Sequence, residues 1–238
     1  MEQKYLSDIE LYYTSKIENN FIELFDDEFK HVTKVMRHTI GDILNVTDGI
    51  GNFYKTKISI INNDSVIASI VETQKYENRF SNIYFCFPRL KSVDRFEFEI
   101  EKLVELGITN FIIFHSERTI PKGEKLERWN KIALSAMKQS LRTYFPKFEY
   151  LKSIEQINKF DGKKIVLDQN GETSLINYVR DIKEQSTNKN IYFVFGPEGG
   201  LSKNEISQIT NCQTLTLTPN RLRAETAVIA TATIVALI

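Results

Sequence analysis

The sequence predicts an α/β protein in two parts, a small β-barrel over residues 1–75 and a larger parallel-sheet domain over 76–238. Three observations carry this expectation. Short apolar runs before residue 75 alternate with polar residues and are separated by Asp-, Asn- and Gly-rich turns, the pattern of half-exposed antiparallel strands. Beyond about residue 78, uncharged β-branched runs alternate with stretches of helical length, which argues for a parallel sheet with helices on both faces. One of the last strand-like runs ends in Phe195-Gly196-Pro197-Glu198-Gly199-Gly200, a glycine-rich turn at the place where open α/β sheets hold ligands.

In the first part, Ile43-Leu44-Asn45-Val46 and Phe53 to Ile60 flank a turn containing Asp48-Gly49, and Asn62-Asn63-Asp64 reverses the chain into Ser65 to Ile70. Val32, Val35 and Met36 stand at helical spacing, so 31–38 is expected as a short helix that Gly41 ends. In the second part the candidate strands are Ile83 to Phe87, Phe111 to Phe114, Lys164 to Leu167, Ile191 to Phe195 and Thr214 to Leu217. Helices are expected between them at 92–106, 125–141, 174–184, 203–210 and 223–237.

Formal charge is zero, Lys+Arg 31 against Asp+Glu 31, so bulk charge gives no support to a nucleic-acid partner and any such surface is expected to be local. Residues 1–75 carry 8 basic and 12 acidic side chains. Cys86 and Cys212 lie far apart in apolar runs and are expected as reduced, buried thiols rather than a disulfide. Met1 to Tyr5 lacks an apolar signal core and no run is long enough for a bilayer, so a cytoplasmic protein is expected.

The chemistry concentrates at the carboxy-terminal end. Gly196, Gly199 and Gly200 expose backbone N–H groups and permit tight turns, with Gly199 expected at positive φ. Ser202-Lys203-Asn204-Glu205 reads as a capping box opening the next helix. Neither G-x-G-x-x-G nor a glycine-rich run ending in Gly-Lys-Ser/Thr is present, which disfavours dinucleotide and ATP sites. Leu167-Asp168-Gln169-Asn170-Gly171 ends a strand at the same sheet edge and is expected to form a further wall. Arg223 opposes the dipole of the helix it opens, so a use for its charge beyond capping is expected, with Glu225 beside it. Arg37, Arg89, Lys91, Arg95 and Arg142 are candidate phosphate contacts. His31, His38 and His115 have no metal-ligand spacing, and no metal is expected.

The glycine loop followed by Leu222-Arg223-Ala224-Glu225-Thr226-Ala227 resembles the SPOUT class of S-adenosylmethionine-dependent RNA methyltransferases, most closely the bacterial 16S ribosomal RNA uridine N3-methyltransferases (RsmE). His31-Val32 with Val35-Met36-Arg37, Gly41-Asp42, Lys91 with Arg95, Glu105-Leu106-Gly107, Glu117-Arg118 and Gln139-Ser140 are similar to further family motifs. The resemblance implies a PUA-like RNA-binding barrel over 1–75, a SPOUT domain over 76–238 and a trefoil knot over about 163–238. It implies S-adenosylmethionine as cofactor, held by Leu167, Phe195, Gly196, Pro197, Glu198, Gly199, Gly200, Leu217, Leu222, Thr226 and Ala227. It implies 16S ribosomal RNA as partner and a homodimer to which the apolar run from Thr226 to Ile238 contributes; on such a substrate Arg223 is expected to stabilise the uracil anion, with Glu225 or a water taking the proton. The family usually has Gly where Thr218 stands and Arg where Asn220 stands, and Pro219 stiffens this loop. A SPOUT enzyme acting on another nucleotide, and a non-catalytic RNA-binding factor with an eroded pocket, remain as alternatives.

Overall fold

The structure is a computed structural model describing residues 9–121, 123–185 and 189–237; Met1 to Tyr5, residues 186–188 of the polar loop and Ile238 lie outside that set. Chain contacts divide it into two units, Met1–Arg79 with Met137–Phe145, and Phe80–Ala136 with Pro146–Ile238.

The first unit holds β1 (Leu11–Tyr13), β2 (Ile17–Glu18), β3 (Phe21–Phe25), β4 (Ile43–Thr47), β5 (Asn52–Ile61) and β6 (Ser65–Lys75), in the order β1-β4-β5-β6-β3-β2. Every pair is antiparallel except β1 with β4, which is parallel. The expected all-antiparallel arrangement is corrected at that pair. Tyr12, Ile22, Leu24, Leu44, Val46, Ile58 and Val66 form its core, while alternate residues of β5 such as Lys55 and Lys57 are exposed, as the period of two requires.

The short helix also differs from expectation. It begins as α1 (Asp26–Lys30) and continues as a π-helical turn over His31–Val35. Arg37, at φ +57°, takes the left-handed conformation directly after it, and Gly41 (φ +99°) comes later. A non-glycine residue held there stores strain of about 1 kcal/mol or more, a cost found most often at functional positions.

Met137–Phe145, which the expected boundary leaves in the second part, belongs with the first unit. The Gly51 N–H donates to the Thr143 carbonyl at 2.9 Å, the Phe145 N–H to Gly49 at 2.8 Å and the Tyr144 hydroxyl to the Tyr76 carbonyl at 2.9 Å. Lys138 pairs with Glu28 at 2.5 Å. These are bonds to the β4–β5 turn and its surroundings, which no helical or strand periodicity encodes.

The second unit runs β7 (Ile83–Pro88), α2 (Val93–Glu105), β8 (Asn110–Phe114), α3 (Leu126–Gln139), β9 (Lys147–Leu151), β10 (Lys163–Leu167), β11 (Thr173–Ser174), α4 (Leu175–Gln185), β12 (Ile191–Val194), α5 (Lys203–Gln208), β13 (Cys212–Thr216) and α6 (Ala224–Leu237), with the end of α3 already in the first unit. Its seven strands are all parallel, in the order β11-β13-β10-β12-β7-β8-β9. β12 lies between β10 and β7, which explains why all four of its residues are apolar and buried. β9 and β11 are strands that apolar periodicity did not reveal.

Helix α2 is capped by the Ser92 hydroxyl and buries Phe96, Ile100, Leu103 and Val104 on one stripe. It packs against α6, which also meets α4. On α6 the residues Val228, Thr231, Ala232 and Val235 are buried, Ile229, Ala230, Thr233 and Ile234 are half-buried, and Leu237 at the end is exposed. Among the described residues, no helix is long and apolar enough to cross a membrane.

Candidate active site

The carboxy-terminal ends of β10, β12 and β13 lie side by side and the chain leaves each in a loop. After β12, the Phe195 N–H still donates to the Cys86 carbonyl at 2.9 Å, and the loop begins at Gly196. A Cβ at Gly196 would lie 2.6 Å from the Leu201 nitrogen and 2.8 Å from the Gly200 carbonyl carbon, so only glycine fits. Gly200 (φ +69°) closes a turn by donating to the Pro197 carbonyl at 2.8 Å. Gly199 is not in the left-handed region, contrary to expectation; a Cβ there would meet only the Arg118 side chain, at 3.2 Å.

The loop is anchored at both ends. The expected capping box is present, with Glu205 N–H on the Ser202 hydroxyl at 3.1 Å and Ser202 N–H on the Glu205 carboxylate at 2.8 Å. The second Glu205 oxygen accepts from Glu117 N–H at 2.9 Å, and the Arg118 guanidinium donates to the Gly199 carbonyl. Hydrogen bonds from Ser202 and Asn204 hold the Glu117 carboxyl below its ordinary range. Glu198 accepts from the Lys91 N–H at 3.0 Å.

The other walls follow from the sheet. Asp168 accepts from the Asn170 N–H and amide at 2.8 Å, forming a tight turn after β10. The chain then passes so close to β13 that a Cβ on Gly171 would sit 2.3 Å from the Leu215 carbonyl carbon. After β13, the Thr218 hydroxyl accepts from Asn220 N–H at 3.4 Å. Helix α6 then brings in Glu225, whose carboxylate lies 3.7 Å from Arg95 Nε and 4.0 Å from the Arg223 guanidinium.

Together these loops enclose a cavity of about 1060 Å³. Of the residues expected around a cofactor, Leu167, Phe195, Gly196, Pro197, Glu198, Gly199, Gly200, Leu217, Leu222 and Ala227 line it, and so do Arg223 and Glu225. Thr226 does not; it is exposed on the outer side of α6. Arg95, expected among the phosphate contacts, lines the cavity. Arg89 is buried and donates to the Gly123 carbonyl at 3.1 Å, a placement that holds a loop. Lys91 contributes its backbone to Glu198. Arg37 and Arg142 belong to the first unit; Arg37 is exposed, and burial together with Arg79 lowers the Arg142 guanidinium below its ordinary value.

An RNA methyltransferase domain matches residues 77–236, and an RNA methyltransferase PUA domain matches 24–71. The chain is 31% identical over 173 residues to the ribosomal RNA small subunit methyltransferase E of Mesomycoplasma hyopneumoniae, covering 68% of this chain and 73% of that one. The chain belongs to the ribosomal RNA small subunit methyltransferase E family. The Bacillus subtilis ribosomal RNA small subunit methyltransferase E is 29% identical over 216 residues, 84% of each chain. The crystal structure of the Neisseria gonorrhoeae ribosomal RNA small subunit methyltransferase E bound to S-adenosyl methionine superposes with a TM-score of 0.82 at 26% identity, covering 94% of this chain and 95% of that one.

Sequence reasoning missed one residue that this ribosomal RNA small subunit methyltransferase E fold buries behind the site, where it is coupled electrostatically to two residues of the lining. Glu99 sits in the buried stripe of α2 between Phe96 and Ile100, 1% exposed, and neither carboxyl oxygen has a hydrogen-bond partner among the described residues. Burial first, then the charges of Glu225 and Glu198, push its carboxyl well above the usual range. The signal was available: an acidic residue inside an i, i+4, i+7 apolar stripe.

Proposed function

We propose that this chain uses S-adenosylmethionine to methylate N3 of a specific uridine in 16S ribosomal RNA of the small subunit. The observation that carries this reading is the placement of Arg223 and Glu225 on the lining of a glycine-walled cavity at the carboxy-terminal sheet edge. The cavity suits the cofactor chemically. Glu198 and Glu225 supply negative charge for a sulfonium, Phe195, Leu217 and Leu222 supply apolar surface, and the loop around Gly196 leaves no room for a side chain. An eroded, non-catalytic pocket would have lost these features.

When bound, S-adenosylmethionine supplies an electrophilic methyl group. The protein's part is positioning and charge. Uracil N3 bears a proton and lies on the Watson–Crick edge, so the base must be unpaired or flipped out to react. Arg223 stabilises the anion left when the proton departs, and Glu225, one oxygen of which faces both Arg95 and Arg223, accepts that proton. Strand β13 returns beside β10 on the side away from β12, an arrangement consistent with the trefoil threading that the family resemblance implies. Mass-spectrometric mapping of 16S ribosomal RNA from a deletion strain tests the reading. One uridine should lose its N3-methyl group, and an unchanged modification pattern would refute the substrate assignment.

The PUA-like unit is the RNA-holding part, with Arg37 as a phosphate contact. Arg37→Ala should weaken RNA binding and lower the salt dependence by about one unit of slope, with the rate at saturating RNA unchanged. A filter-binding titration at several salt concentrations checks this. The functional form is a homodimer built on the half-buried face of α6 that ends at the exposed Leu237. Light scattering at micromolar concentration should give twice the chain mass of 27.7 kDa; a monomer would contradict it.

A further inference from the structure

Helix α2 packs on α6, where its Arg95 lies 3.7 Å from Glu225 on the cavity lining, and one turn further along α2 stands a buried carboxyl, Glu99, that has no structural reason to be there. Glu99 occupies a core position of α2 that an aliphatic side chain would fill without cost. A buried polar group without partners is destabilising and persists where it serves a function. The charged groups facing it are Glu225 from α6 and Glu198 from the loop after β12; Arg95 lies one turn earlier on its own helix, and Arg223 beyond Glu225. Both facing carboxylates line the cavity. One oxygen of Glu225, itself only 9% exposed, also lacks a hydrogen-bond partner among the described residues.

We propose that Glu99 is a positioning residue that carries a proton in the cofactor-free protein, releases it when a sulfonium cofactor binds, and recovers it from uracil N3 after methyl transfer. This rests on the cofactor reading above. The physical basis is that the groups are coupled through a poorly solvated interior, where one charge strongly affects the ionisation of the next. A cation among the carboxylates favours loss of the Glu99 proton to solvent. In the reaction the N3–H bond breaks as the N3–methyl bond forms and the methyl–sulfur bond breaks. The N3 proton passes to Glu225 and on to Glu99 as the sulfur becomes neutral. The charge of the cavity is thereby the same before and after transfer.

The test is calorimetry on the full chain near neutral pH, with S-adenosylmethionine and with the uncharged product S-adenosylhomocysteine, each in two buffers of different ionisation enthalpy. The expected result is proton release with S-adenosylmethionine and much less with S-adenosylhomocysteine, and loss of that difference in Glu99→Gln with binding retained. Equal proton release for both ligands, or a difference that survives in Glu99→Gln, overturns the proposal. Failure of both ligands to bind the unaltered chain overturns the cofactor reading itself.

Glu99→Leu supplies an independent check that needs no cofactor. The folded carboxyl holds its proton at a pH where the unfolded one, with an ordinary value of 4.5, has lost it. The native protein therefore loses stability as pH rises above that value, until the folded group also ionises. Glu99→Leu should raise Tm at neutral pH and raise it less in acid. An equal shift at both pH values would show that the carboxyl is not held protonated, and would overturn the proposal.

Discussion

Gly196→Ala should reduce affinity for S-adenosylmethionine by about a hundredfold or more, close to 2.7 kcal/mol, while Gly199→Ala changes it by less than about threefold, under ~0.7 kcal/mol. The difference lies in what the added methyl meets. At Gly196 it would collide with the Leu201 nitrogen at 2.6 Å and the Gly200 backbone, and that backbone cannot retreat. Leu201 is packed into the core beneath the sheet, and Ser202 next to it is fixed by the capping box with Glu205. At Gly199 the methyl meets the flexible stem of Arg118 at 3.2 Å, which can rotate at the cost of its bond to the Gly199 carbonyl. Gly200→Ala belongs between them, because φ +69° costs roughly 1–2 kcal/mol for a residue with a Cβ although the space is open. Calorimetric titration of the three variants checks the ranking. A larger loss at Gly199 than at Gly196 would mean that the ligand sits outside this loop.

The same three glycines show what a sequence discloses and what it conceals. Their clustering after an uncharged strand located the cavity, because bare backbone at a sheet edge has few other uses. Which glycine carries the constraint depends on how Leu201 folds back under the loop, a tertiary contact without local signature. Strand β12 was legible because it is buried on both faces and every residue is apolar. Edge strand β9 was not, because Lys147 and Glu149 face solvent and β11 has only two residues. Arg95 was readable as a candidate phosphate contact, but its place against Glu225 was not, because that depends on the packing of α2 on α6. Glu99 was readable as a fault in an apolar stripe, but its partners come from the loop after β12 and from α6, roughly 100 and more residues away along the chain.

Arg223→Ala should lower the single-turnover rate of methyl transfer by about 10²–10³-fold, the range found when one donor to a developing anion is removed, while affinities for RNA and cofactor stay within about threefold. Arg223 stands immediately before α6, where a positive charge opposes the helix dipole, and its side chain is 69% exposed. Its contact with Glu225 is long, at 4.0 Å, and its own end of the pair is solvent-screened, so the contact gives the fold little reason for an arginine there. An incoming base that covers the cavity would remove the solvent that now screens this charge, and the field at the base would strengthen at the moment the anion forms. Arg95 differs, since it reaches the same Glu225 oxygen at 3.7 Å from the opposite element; Arg95→Ala should disturb the proton acceptor and shift the pH dependence of the rate. Arg223→Lys keeps the charge but loses the planar fork, so it should recover part of the rate. If Arg223→Ala instead loses RNA affinity and keeps a normal rate at saturation, Arg223 positions the RNA, and stabilisation of the uracil anion must come from elsewhere in the cavity.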